Sequence, residues 1–148
     1  MKLMKPLFLI AIAVSLSLTA CTPAPAQPSG EGSLSFNDQL GQEWKLVSYG
    51  TPGQETALPA DSEITLTFDQ EGRAGGSAGC NSYGGEYQVD GQKIAILNVA
   101  STLMACDNPL IMQTESAYLA ALGSAETFQL SSDQLEINYQ GGVLVFEK

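Results

Sequence analysis

Arg73-Ala74-Gly75-Gly76-Ser77-Ala78-Gly79-Cys80-Asn81-Ser82-Tyr83-Gly84-Gly85-Glu86-Tyr87 is built mostly of small residues. A Gly-rich run of this kind suggests a phosphate cradle when it opens a helix and carries a Lys. No Lys lies in it and no helical period follows it. The chain is also acidic, with a net charge of -10, which opposes phosphate binding. The structural reading fits better. Ala74, Gly76 and Ala78 alternate, so one face of a strand is nearly bare and a neighbouring element can approach closely. Asn81-Ser82 and Gly84-Gly85 then read as turns.

Strand patterns surround this segment. Glu63 to Phe68 alternates polar and apolar, with Ile64, Leu66 and Phe68 on one face. Glu43 to Tyr49 reads as an earlier strand with Trp44 and Leu46 pointing inward, and Lys93 to Leu97 as a later one after a turn at Asp90-Gly91. Thr127 to Leu130, Leu135 to Tyr139 and Val143 to Phe146 make three more, the last two joined at Gln140-Gly141-Gly142. Val143 to Phe146 is apolar on both faces, which predicts a central or covered strand. One helix is expected, capped by Asp107 or Asn108, with Pro109 in its first turn and a stop at Gly123. Ile111, Tyr118 and Leu122, with Thr114 and Ala117 between them, form its apolar stripe. The fold class is therefore α+β, a compact antiparallel sheet with one packed helix.

The N-terminus reads as a targeting segment. Lys2 and Lys5 precede an apolar run from Leu7 to Leu16, and Leu18-Thr19-Ala20-Cys21 follows. Charged start, short apolar core and small residues before a cut are the layout of a secretory signal. The ending resembles the bacterial lipoprotein signal, which implies cleavage after residue 20 and lipidation of Cys21. Residues 21–36 then comprise the lipidated Cys and a Pro/Gly/Ser-rich tether. Its twelve residues from Thr22 to Ser33 reach on the order of 35 Å at about 3.1 Å per residue. The folded part is expected over 37–148. The implied location is the cell envelope, lipid-anchored and facing the periplasm. Thr22 after the Cys favours the outer membrane.

Composition removes several function classes. With 6 basic and 16 acidic residues, the chain does not suit nucleic acid. It has no His, the commonest general base and metal ligand. Cys80 and Cys106 remain after lipidation, and outside the cytoplasm an even pair favours a disulfide, with buried free thiols as the alternative. A catalytic Cys lacks a base, and two scattered Cys are too few for zinc, so neither metal nor cofactor is expected. Glu43, Glu63, Glu86, Glu115 and Glu136 are the carboxylates considered for hydrolytic chemistry. Alternating strand positions place most of them on a solvated face. Glu115 differs, lying beside the helical stripe, where it is expected to cap or pair with the Gly-rich turn.

Three motifs together resemble a known family. They are Gly79-Cys80-Asn81-Ser82-Tyr83-x-Gly85-x-Tyr87, Ser101-Thr102-x-Met104-Ala105-Cys106 and Glu115-x-x-Tyr118-Leu119-x-x-Leu122. They look like the META domain, a family that includes the bacterial heat-inducible HslJ proteins. Trp44-x-Leu46, Leu135-x-Ile137 and Leu144-x-Phe146 fit as well. The resemblance implies a compact antiparallel domain, like a partly open barrel, with one packed helix. It implies structural roles for Gly79, Cys80, Asn81, Tyr83, Gly85, Tyr87, Thr102, Met104, Cys106 and Glu115. It also implies a non-enzymatic, stress-related accessory module, with associations to drug tolerance and virulence. The expected partners are the membrane, through the anchor, and a protein or small apolar ligand. Two alternatives stand beside this. One is an acidic inhibitor of a cationic hydrolase such as lysozyme, steered by opposite charge. The other is a carboxylate-dependent hydrolase.

Overall fold

The computed structural model describes residues 34–148. The signal, Cys21 and nearly all of the expected tether lie outside the described residues.

Alternating apolar residues form nine strands, six before the helix and three after it. They are β1 (Glu43–Gly50), β2 (Thr56–Ala57), β3 (Thr65–Phe68), β4 (Arg73–Ser77), β5 (Ser82–Asp90) and β6 (Lys93–Ser101), then β7 (Ala125–Leu130), β8 (Gln134–Tyr139) and β9 (Gly142–Glu147). The helix, α1 (Pro109–Leu122), joins β6 to β7. β1 pairs antiparallel with β3, each strand from β3 to β8 pairs antiparallel with the next, and β9 returns to pair with β1 from Lys45 to Gly50. Eight strands thus close a barrel, with the two-residue β2 added beside β1. Closure explains why Val143 to Phe146 is apolar on both faces. β9 has a strand on each side, and Val143, Leu144 and Phe146 are buried.

Trp44, Leu66, Phe68, Ile137, Leu144 and Phe146 fill the interior with essentially no exposure. Burial of each such side chain contributes about 1.5–3 kcal/mol. A small eight-stranded barrel is just wide enough to be filled this way. Below, a 3-10 turn (Phe36–Gln39) closes one end. Phe36, which composition assigns to the tether, packs its ring 5.0–5.5 Å from those of Phe68, Tyr87 and Phe128. Such edge and tilted pairs add to plain area burial.

Asn108 caps α1, its side-chain oxygen accepting from Leu110 N at 3.0 Å, with Pro109 in the first turn. The helix ends at Gly123, whose φ of -70° is right-handed. Its buried residues are Ile111, Thr114, Glu115, Tyr118, Ala121 and Leu122. Ala117, expected in the stripe, is exposed, and Ala121 takes the inward position one turn further on.

The Gly-rich segment corrects one expectation. Gly84 and Gly85 do not turn the chain. They lie inside β5, opposite Gly75 and Ala74 of β4. The turn falls earlier, where Ala78 N donates to Asn81 O at 2.7 Å. These glycines serve close approach. A Cβ on Gly76 would run into the Thr65 backbone, and one on Gly85 would lie 2.7 Å from the Leu97 carbonyl oxygen. Turn chemistry and strand crowding select the same residue, and only pairing separates them.

Candidate functional site

Gly79, Cys80 and Asn81 of the first motif meet Thr102, Met104 and Cys106 of the second and Glu115 of the third. Gly79 begins the arrangement with φ +106°, a left-handed conformation that a side chain disfavours. An added Cβ there would also press on Ser62 Oγ and Ile111. This turn aims successive backbone N–H groups at the helix. Cys80 N and Asn81 N donate to Glu115 Oε2 at 3.1 and 2.7 Å, and Asn81 Nδ2 donates to Glu115 Oε1 at 2.7 Å. The carboxylate is buried, so these three donors replace the water it loses. Here is the pairing expected between Glu115 and the Gly-rich turn.

Asn81 carries the contact onward. Its Oδ1 accepts from Thr102 Oγ1 and Met104 N, both at 2.7 Å, and its Nδ2 also donates to Met104 O at 3.1 Å. Cys80 and Cys106 are joined in a disulfide with Cα atoms 6.1 Å apart. One buried Asn and one buried Glu therefore tie three segments together: the 78–82 turn, the 102–106 segment and α1.

A second polar contact lies in the core beneath. Tyr83 OH donates to Thr65 O at 2.8 Å, and its oxygen is 2.6 Å from Tyr118 OH. Because the Tyr83 proton goes to Thr65, Tyr118 is the donor between the two phenols. Burial foremost raises both phenols well above their ordinary range, although the Tyr118 hydrogen bond works the other way on Tyr83. They hold their protons and act as structural bonds between β5 and α1. Tyr87 lies apart from the clamp, near the other end of the barrel, where its OH donates to Asp69 O at 2.7 Å.

The clamp fixes a segment that is almost wholly solvent-facing. Residues 102–110 are all exposed, and they include Leu103 at 97%, Met104 at 58% and Leu110 at 53%. Exposed apolar side chains on a stapled backbone form a surface for contact. Sequence reasoning found the residues of the clamp and missed Leu103 and Leu110. Leu103 lies in a stretch without strand or helix period, and Leu110 follows Pro109 in the first turn of the expected helix, outside its apolar stripe.

The other carboxylates do not join this site. Glu43 and Glu86 are exposed on β1 and β5, and Glu136 is half-exposed on β8. Glu63 pairs with Lys45 at 3.5 Å on the surface. Among the described residues, no three His, Cys, Asp or Glu side chains cluster.

The META domain model matches residues 37–148. The chain belongs to the META domain family. No curated protein matches it. Among solved structures, this META domain is similar to a protein from Burkholderia xenovorans studied by NMR. That protein is 27% identical, with 84% of this chain and 97% of that one covered at a TM-score of 0.62. A DUF4847 family protein from Bacteroides vulgatus ATCC 8482 shares the fold, with 16% identity, 71% and 90% coverage and a TM-score of 0.54. Cys80, Asn81, Thr102, Met104, Cys106 and Glu115 of the META motifs are bonded to one another, and the surface beside them is the exposed apolar segment.

Proposed function

We propose that this META domain is a non-catalytic binding module, held in the bacterial envelope by lipid on Cys21 and serving an accessory role under stress. The observation that carries the binding role is the clamp itself. Asn81, Glu115, Thr102, Met104 and the Cys80–Cys106 disulfide satisfy one another, and together they hold Leu103 and Leu110 out in water. Fixing an apolar segment in advance lowers the ordering cost of binding. The anchor rests on the order Leu18-Thr19-Ala20-Cys21. Two or more acyl chains there would hold the domain firmly to the outer membrane.

Two measurements test this. A photoreactive residue replacing Leu103 should crosslink to a discrete envelope partner in intact cells, and Leu110→Asp should weaken that crosslink. A crosslinking pattern no different from a probe on Gln129 refutes the binding role. Mass spectrometry of membranes should find an acylated Cys21 at the N-terminus, and Cys21→Ala should release the chain; an unprocessed start refutes the anchor.

The acidic surface supports a second reading, an inhibitor of a cationic hydrolase. Glu115 is the only buried carboxylate among the described residues, so the remaining described acids stay at the surface to steer a basic enzyme. Lysozyme activity unchanged by the purified chain at low salt removes it.

A further inference from the structure

Ile94-Ala95-Ile96-Leu97-Asn98-Val99-Ala100-Ser101-Thr102-Leu103-Met104-Ala105-Cys106 carries no charge, in a chain with 16 acidic residues. Its first part is most of β6, which pairs with β5 along one edge from Lys93 to Ser101. The other edge meets β7 at one position, Lys93↔Thr127, and Phe128 N donates to Gln92 O beside it. From Ala95 to Ser101 that edge has no strand partner among the described residues. The side-chain bonds and ring contacts of α1 go to the 80–81 turn, to Tyr83 of β5 and to Phe146 of β9. Leu97 is 39% exposed, and Asn98 and Ala100 are exposed beside it.

Among the described residues, this stretch is a gap in the barrel. Free edges are usually blocked by Lys, by Pro, by a covering element or by a bulge. Lys93 stands at the start of this edge, and the bulge at Asn98, with φ 55°, falls where the β5 register shifts; from 94 to 106 there is neither Lys nor Pro. A groove of about 610 Å³ opens at the start of the edge, lined by Val89, Ile94, Ala95 and Ala125, with Asp90 and Glu126 at its rim. Lys93 also lines it, and stands opposite Asp90 in the hairpin register, which leaves Glu126 unbalanced. Asp107 follows the far end.

We propose that the free edge of β6 accepts an extended segment of a partner protein as an added strand, apolar in its middle and basic at its ends. This rests on the reading of the chain as a binding module and names how it binds. Main-chain bonds supply affinity, and alternate side chains fall on Leu97 and the groove. Asp90 and Glu126 at the groove, and Asp107 further along the chain, favour basic flanks. A second copy is the weaker occupant, because two strongly acidic chains repel.

The test uses the full chain in detergent and three synthetic peptides of about eight residues, a common strand length. The first alternates Val and Thr with Lys at both ends, the second has Glu at the ends, and the third is the first with alternate amides N-methylated. The Lys-ended peptide should slow amide exchange at 95–101 and bind roughly tenfold or more tightly than the Glu-ended one, a difference of about 1.4 kcal/mol. The N-methylated peptide should not protect, and Leu97→Lys should abolish protection by the first. Equal protection by the N-methylated peptide overturns strand addition. So does protection of 95–101 that rises with protein concentration and needs no peptide. If no peptide protects β6 while the Leu103 probe still crosslinks a partner, strand addition fails and the binding module stands; loss of both signals overturns both.

Discussion

Replacing Glu115 with Gln changes one oxygen for an NH2 and leaves shape nearly constant. Both carboxylate oxygens are occupied: Oε2 by Cys80 N and Asn81 N, Oε1 by Asn81 Nδ2. Whichever oxygen becomes nitrogen then sets donor against donor. Asn81 cannot turn its amide to relieve this, because its Oδ1 already accepts from Thr102 Oγ1 and Met104 N. At least one charge-assisted bond is lost, and such bonds contribute about 1.5–3 kcal/mol each. Glu115→Gln should therefore destabilise the domain by about 2 kcal/mol, a fall in Tm of roughly 8 °C. Glu115→Ala leaves all three donors without a partner and should cost about 4 kcal/mol. The assay is thermal and urea unfolding with the disulfide intact. A double-mutant cycle with Asn81→Ala should show a coupling of at least about 1 kcal/mol. Glu115→Gln within about 0.5 kcal/mol of the parent would refute the reasoning, since the carboxylate would then be no better than an amide among these donors.

Removing the disulfide with Cys80→Ser and Cys106→Ser should lower stability by about 3 kcal/mol on the chain-entropy model, read from the urea midpoint; an unchanged midpoint contradicts it. Gly76→Ala should destabilise by about 1–3 kcal/mol, because the new methyl meets the Thr65 backbone, whose carbonyl also receives the Tyr83 proton. Full parental stability in that variant would show that β3 and β4 are not so closely apposed. Of the five Tyr, the buried Tyr83 and Tyr118 should resist ionisation in an ultraviolet pH titration. Their folded pKa values are raised, so their contribution is complete below the ordinary phenol value near 10 and is lost as pH rises above it. One spectral step for all five Tyr near pH 10, with the fold retained, would be the contrary result.

Much of the fold was legible along the chain because its strands are half-buried. Trp44 and Leu46, Ile64, Leu66 and Phe68, and Leu135 and Ile137 alternate with polar neighbours, and alternation is a local property. The helix was legible through Asn108, Pro109 and Gly123, which act within one turn. Less legible were Gly84 and Gly85. Glycine marks both turns and crowded strand pairs, and the sequence does not state which strand lies opposite. The 3-10 turn at Phe36 was hidden for a similar reason: a lone aromatic after a Pro/Gly/Ser-rich stretch has no period, and its partners Phe68 and Phe128 are distant in sequence. In the site, the Gly79-Cys80-Asn81 and Glu115 motifs were readable as residues, and so were a disulfide and a pairing of Glu115 with the Gly-rich turn, but not which atoms meet or how Asn81 bonds Thr102 and Met104.

The order of residues alone determined that this chain forms antiparallel strands with a packed helix, that it carries a net charge of -10, and that the motif residues mark a META domain. Periodicity, capping and net charge need no knowledge of what lies across the core. The tertiary structure alone decided that β9 closes on β1, that Cys80 N, Asn81 N and Asn81 Nδ2 are the donors to the buried Glu115 carboxylate, and that β6 keeps an edge without a strand partner among the described residues. Each of these depends on which distant backbone groups come within hydrogen-bonding distance, and that is set by packing of the whole barrel.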